Sequence, residues 1–179
     1  MKHIKGVLAT GLAVATLFTM TSCGVKEIPE KDFKSAVKDI MDCDSDDLRS
    51  YEGKETGNDY TEAYVYYNGE DADDYNITFY EYEDEEAAKY FFDSRALRYN
   101  HYKTHDGIDG KIKIASNYIT VDAEVTYYYD EDGSDVYGGI YQAGPYIITV
   151  TTDTGKDRDR DTVDDLLDEL GLPKPSRAK

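Results

Sequence analysis

Apolar residues recur along this chain with two different periods, and the switches between the periods predict its elements. Phe33, Ala36, Val37, Ile40 and Met41 fall at steps of three and four, on one face of a helix whose first turn suits Pro29. The acidic, turn-rich stretch from Asp42 to Asp59 ends that helix and reads as loop. Tyr60 to Tyr67 and Tyr75 to Tyr82 then alternate, predicting a hairpin joined through Asn68-Gly69 and a longish acidic loop. Asp84 stands as the cap of a second helix, with Glu85 and Glu86 where carboxylates meet free backbone amides. The buried stripe of that helix is Ala88, Phe91, Phe92, Ala96 and Tyr99.

The second half is richer in strand. Lys111 to Ala115 alternates, Ser116-Asn117 turns, and Tyr118 to Tyr129 alternates with Ile119, Val121, Ala123, Val125 and Tyr127 on one face. Asp130 to Asp135, with Gly133, predicts a hairpin turn into Val136 to Gln142, and Gly144-Pro145 turns again into Tyr146 to Thr152. A last helix, capped by Asp161, buries Val163, Leu166, Leu167 and Leu170 and stops at Gly171, with Pro173 beyond. Short strands joined by tight turns, with helices at the start, middle and end, predict an α+β fold. Its expected form is one antiparallel sheet of five to six strands with helices packed on one face.

The N-terminus follows a different logic. Lys2 and Lys5 precede an uncharged, mostly apolar run from Gly6 to Met20, the layout of an export signal. Its strongly apolar part, Val7 to Phe18, is shorter than the roughly 20 residues a transmembrane helix needs. The run ends in Met20-Thr21-Ser22-Cys23, which resembles the lipobox of bacterial lipoproteins, with methionine where leucine is usual. That resemblance implies cleavage before Cys23 and a diacylglyceryl thioether on its sulfur. Two acyl chains, at about 0.8 kcal/mol per buried methylene, anchor a domain stably without any spanning helix. The expected organisation is a signal peptide over 1–22, a lipidated cysteine and tether over 23–28, one domain over 29–172 and a disordered tail over 173–179. The element order, with the segments Ile77 to Ala88 and Gly144 to Val150, also resembles small uncharacterised lipoproteins of Gram-positive bacteria. It implies no activity. The expected address is the cell envelope, on the extracytoplasmic face of a bacterial membrane.

Charge narrows the partners. The net charge of −18 becomes more negative once Lys2 and Lys5 are removed, and such a surface repels phosphates. It argues against nucleic acid and against flat adsorption on anionic lipid. It fits a cation or a basic partner, or simply a solvated surface that keeps the protein apart from its neighbours. With Cys23 committed to lipid, Cys43 has no intrachain partner, and Asp42 and Asp44 beside it make its thiol a poor nucleophile.

Three residue sets are candidates for binding. Counting from Asp157, the carboxylates of Asp157, Asp159, Asp161, Asp165 and Asp168 occupy positions of an EF-hand loop, although Thr162 stands where glycine is needed. Asp130, Asp132 and Asp135 around Gly133 form a second acidic loop, and the same residues are what a hairpin turn needs. Calcium is the one cofactor these loops would admit. His101 and His105, four apart, would share a helix face and could hold zinc with Asp106 or Asp109; they equally suit a solvated helix end. The 18 tyrosines are the strongest compositional signal. Tyr64, Tyr66, Tyr80 and Tyr82 fall opposite Val65, Ile77 and Phe79, so their rings form a row across one sheet face. Such rings stack on sugars or seat a protein partner, or serve as cross-strand pairs that shield backbone. No serine sits in a glycine elbow, no phosphate loop exists and no acid and base pair stands out, so the chain is expected not to be an enzyme.

Overall fold

The computed structural model describes residues 25–53, 61–104, 108–125 and 133–177. Within them run α1 (Glu30–Met41), β1 (Leu48–Glu52), β2 (Thr61–Tyr67), β3 (Tyr75–Tyr82), α2 (Glu85–Thr104), β4 (Ile108–Ile114), β5 (Tyr118–Val125), β6 (Ser134–Ala143), β7 (Tyr146–Thr152) and α3 (Asp157–Glu169). The strands form one seven-stranded sheet in the order β1-β2-β3-β7-β6-β5-β4, and neighbours are antiparallel throughout. Two meanders, β1 to β3 and β4 to β7, are joined by α2, and β7 returns to pair with β3 at the centre. The α+β class is as expected, with seven strands in place of five to six.

The additional strand is β1, which lies in the stretch read as loop. Only Leu48 of its five residues is buried, so no alternation marks it in the sequence. Pairing with β2, which sets Tyr51 opposite Tyr64, makes it a strand.

The helices pack on both faces of the sheet, which corrects the expectation of one. Phe33 and Val37 of α1, and Val163, Leu166 and Leu167 of α3, pack with Val65, Ile77, Phe79, Tyr137, Tyr141, Ile148 and Val150. Ala88 and Phe92 of α2 pack on the opposite side, with Ile112, Ile119, Val121, Ala123, Val125, Val136, Ile140 and Ile147. The physical reason is visible in β6 and β7, where neighbouring residues such as Ile140 and Tyr141, or Ile147 and Ile148, are all buried. A strand that is apolar on both faces needs cover on both.

Local signals act where expected at most helix ends. The Asp84 carboxylate accepts the Ala87 amide at 2.8 Å, capping α2. Gly171 has φ +65°, and the Leu172 amide donates back to the Leu167 carbonyl at 2.8 Å, the six-to-one bond of a Schellman ending. Gly144 at φ +57° opens the turn between β6 and β7, leaving Pro145 with the φ its ring requires. The last helix, however, begins at Asp157, one turn before the expected cap at Asp161. The tail expected to be disordered is held over 173–177: the Tyr141 hydroxyl donates to the Pro173 carbonyl at 2.6 Å, Pro175 is buried, and Arg177 pairs with Asp161 and Asp164.

No helix among the described residues is long and apolar enough to cross a membrane. Cys43, half-buried at the end of α1, is a free thiol. Burial pushes its pKa up, and the Asp47, Asp44 and Asp42 carboxylates add to this against an opposing Lys38. Alkylation by iodoacetamide at neutral pH is therefore expected to run several-fold slower than for free cysteine, and to reach the free rate in denaturant.

Candidate functional site

The sheet face under α2 changes character from one edge to the other. On β4, β5 and β6 it is aliphatic and covered by α2. From β7 onward it becomes hydroxyl and tyrosine. Alternation along β3 puts Asn76, Thr78, Tyr80 and Tyr82 on this face, while Ile77 and Phe79 point into the core on the other side. Register then lines residues up across strands: Tyr51 opposes Tyr64, Tyr64 opposes Tyr80, Tyr66 opposes Thr78, Thr78 opposes Thr149, and Asn76 opposes Thr151.

The tyrosines stack. Ring centroids of Tyr64 and Tyr80 lie 4.4 Å apart at 13°, Tyr64 and Tyr66 5.3 Å at 23°, and Tyr51 and Tyr66 6.0 Å at 3°. Tyr80 continues to Tyr82 at 6.1 Å, and Tyr82 to Phe91 of α2 at 4.9 Å. The row therefore runs from the β1 edge, where Tyr51 is exposed, to α2, where Tyr82 is buried. Burial, and then Tyr80, push the Tyr64 phenol well above its ordinary pKa. The Tyr82 phenol is pushed up to about 12 by burial and by Tyr80, against the Arg95 guanidinium nearby. Tyr64 and Tyr82 are thus neutral at any physiological pH.

Beside the row, the C-terminal half of α2 stands over β3 and β7 and leaves a groove of about 460 Å³. Its floor is Asn76, Thr78, Thr149 and Thr151, and its walls include Tyr64, Tyr80, Tyr99, Tyr102, Arg95 and Arg98. The side-chain hydroxyls of Thr78, Thr149 and Thr151 make no hydrogen bond with a described residue, and Arg95 and Arg98 make no ion pair with one. Asp73 and Asp153 also line the groove. The arrangement offers a row of aromatic rings, hydroxyls that both donate and accept, and two guanidinium forks.

No protein-family model matches the chain, and no curated protein matches it. Its structure is similar to that of the extracellular domain of PknH from Mycobacterium tuberculosis, with a TM-score of 0.41 and 11% sequence identity over 83% of this chain and 99% of that one. What the site can do is set by its own residues.

The other candidate residues lie elsewhere. Cys23, Asp130, Asp132 and His105 fall outside the described residues, and His101 is exposed in the last turn of α2. Asp135 is exposed at the start of β6, in a bridge with Thr154. The EF-hand reading of Asp157, Asp159 and Asp161 is corrected: they belong to a regular helix, whose side chains radiate instead of converging on an ion. Asp159 is fully buried and accepts bonds from Thr154 at 2.5 Å, Arg158 at 3.0 Å and Tyr75 at 3.1 Å. Its oxygens are already occupied by the protein. Asp161 is taken by Arg177, and no cluster of metal-binding side chains occurs among the described residues.

Tyr51, the threonine floor and the arginine pair were missed from sequence. Signals for them exist. Asn76 and Thr78, like Thr149 and Thr151, alternate with buried aliphatics, and no acidic residue occurs between Asp93 and Asp106 in an otherwise acidic chain.

Proposed function

We propose that this protein is a lipid-anchored, extracytoplasmic, non-enzymatic binding module that takes a carbohydrate on its tyrosine face. The observation carrying this reading is the stacked row of Tyr51, Tyr66, Tyr64 and Tyr80, partly open to solvent beside a hydroxyl-floored groove. A row built only as cross-strand pairing would need no groove at its side, and an aliphatic face would shield the backbone as well. Aromatic planes bind the apolar faces of pyranose rings, and hydroxyls and amides around them select the polar edges. The lipobox-like Met20-Thr21-Ser22-Cys23 supports the address, because a short tether would present this face just outside the bilayer.

Screening the full chain against a panel of immobilised oligosaccharides tests the proposal. Tyr64→Ala, in the middle of the row, is expected to weaken retention about tenfold or more, a loss of at least 1.4 kcal/mol. Absence of binding to every saccharide on the panel would remove the reading, as would full retention by the variant.

A further inference from the structure

We infer that the groove between α2 and strands β3 and β7 binds an acidic saccharide, with Arg95 and Arg98 on its carboxylate or phosphate. This rests on the carbohydrate reading above and names the class of sugar.

A sheet face beneath a helix is normally aliphatic, as this one is over β4 to β6. Under the second half of α2 it carries Asn76, Thr78, Thr149 and Thr151, and the three threonine hydroxyls have no partner among the described residues. Their oxygens are not among the buried unpaired ones but open onto the groove, where packing of the core does not explain them. A ligand rich in hydroxyls does.

At a net charge of −18 the molecule repels anions almost everywhere, yet Arg95 and Arg98, one turn apart, border this groove without an ion pair to a described residue. The helix dipole accounts for cations only in the last turn of a helix. Arg95 and Arg98 sit more than a turn before Thr104, where α2 ends, so the dipole accounts for Lys103 and leaves them unexplained. Two guanidinium groups offer paired donors to a planar carboxylate or a phosphate. Asp73 and Asp153, also at the groove, accept bonds from sugar hydroxyls and oppose a second anionic group. The volume of about 460 Å³ falls in the range of small-ligand sites.

Calorimetric titration of the full chain tests this with four probes: a short oligogalacturonate, the neutral galactose oligomer of equal length, glucose 6-phosphate and inorganic phosphate. The uronate is expected to bind at least about tenfold more tightly than the neutral oligomer, and to weaken toward it as salt rises to ~0.5 M. Arg95→Ala/Arg98→Ala is expected to abolish that difference. Arg95→Lys/Arg98→Lys should retain part of it, since charge persists without the planar fork. Both arginines are exposed, so unchanged melting of these variants shows that the fold survives. Glucose 6-phosphate binding in place of the uronate, with the same arginine dependence, supports the site and assigns the anion as phosphate. Equal binding of neutral and acidic oligomers, indifferent to the arginines, overturns the acidic assignment and leaves the carbohydrate reading standing. Inorganic phosphate binding as tightly as either sugar overturns it as a mere anion site. Silence from all four probes overturns it as well, and if the oligosaccharide panel is also silent the underlying reading falls with it.

Discussion

Replacing Cys23 by serine is expected to reduce incorporation of labelled palmitate to background and to abolish cleavage before residue 23. The effect should be all or none, because the proposed anchor forms on one sulfur and a hydroxyl does not substitute for it. The energetic reason is steep: each buried methylene contributes about 0.8 kcal/mol, and two chains turn marginal membrane contact into stable attachment. The apolar run Val7 to Phe18 is too short to replace them as a spanning helix. Mass spectrometry of the membrane fraction gives the complementary reading in the unaltered protein, a first residue at 23 carrying acyl mass. A mature chain that starts elsewhere, or label retained by the serine variant, would discard the anchor. The tyrosine face would still stand, since it depends on the fold alone.

Asp159→Ala should lower stability by about 3 kcal/mol, or roughly 6 to 12 °C in melting temperature for a domain of this size. Asp159 is fully buried and joins three segments: Tyr75 at the start of β3, Thr154 after β7 and Arg158 in its own helix. Its removal leaves the Tyr75 and Thr154 hydroxyls without that acceptor. Arg158 is largely exposed and can turn to water, which keeps the loss below that of a fully buried ion pair. Burial alone would push the carboxyl up, but the bonds from Thr154, Arg158 and Tyr75 outweigh it and hold its pKa below the usual carboxylate range. For an acid with a depressed folded pKa, the stabilisation is complete above the unfolded value of about 4 and is lost as pH falls from there through the lower folded value. The gap in melting temperature between wild type and Asp159→Asn should therefore narrow between about pH 7 and pH 3, toward the acid end. A constant gap across that range would mean that Asp159 acts by shape and not by charge.

Both faces of the central strands were written in the sequence, yet one was harder to interpret than the other. Phe79 and Val65 opposite Tyr80 and Tyr64 give a clean alternation, and the tyrosine row follows from it directly. In β6 and β7 every residue from Val136 to Ala143 and most from Ile147 to Thr152 are buried, and a continuous run of that kind does not say which helix covers which side. The placement of α2 opposite α1 and α3 therefore awaited the structure. The acidic spacing from Asp157 fits both a calcium loop and a helix with a charged face. The packing of Val163, Leu166 and Leu167 against the sheet decides for the helix.

The chain by itself determined its helices, most of its strands and several turns, and the proposed lipid site rests on sequence alone. Caps, glycines and apolar periods act over a few residues, so their signals are local and survive in a linear reading. Tertiary structure alone decided that Leu48 to Glu52 is a strand, that helices cover both faces, and that Thr78 and Thr149 meet beneath Arg95 and Arg98. Those features arise from pairing and packing between segments far apart in the chain, where each residue's role depends on a neighbour its own segment does not specify.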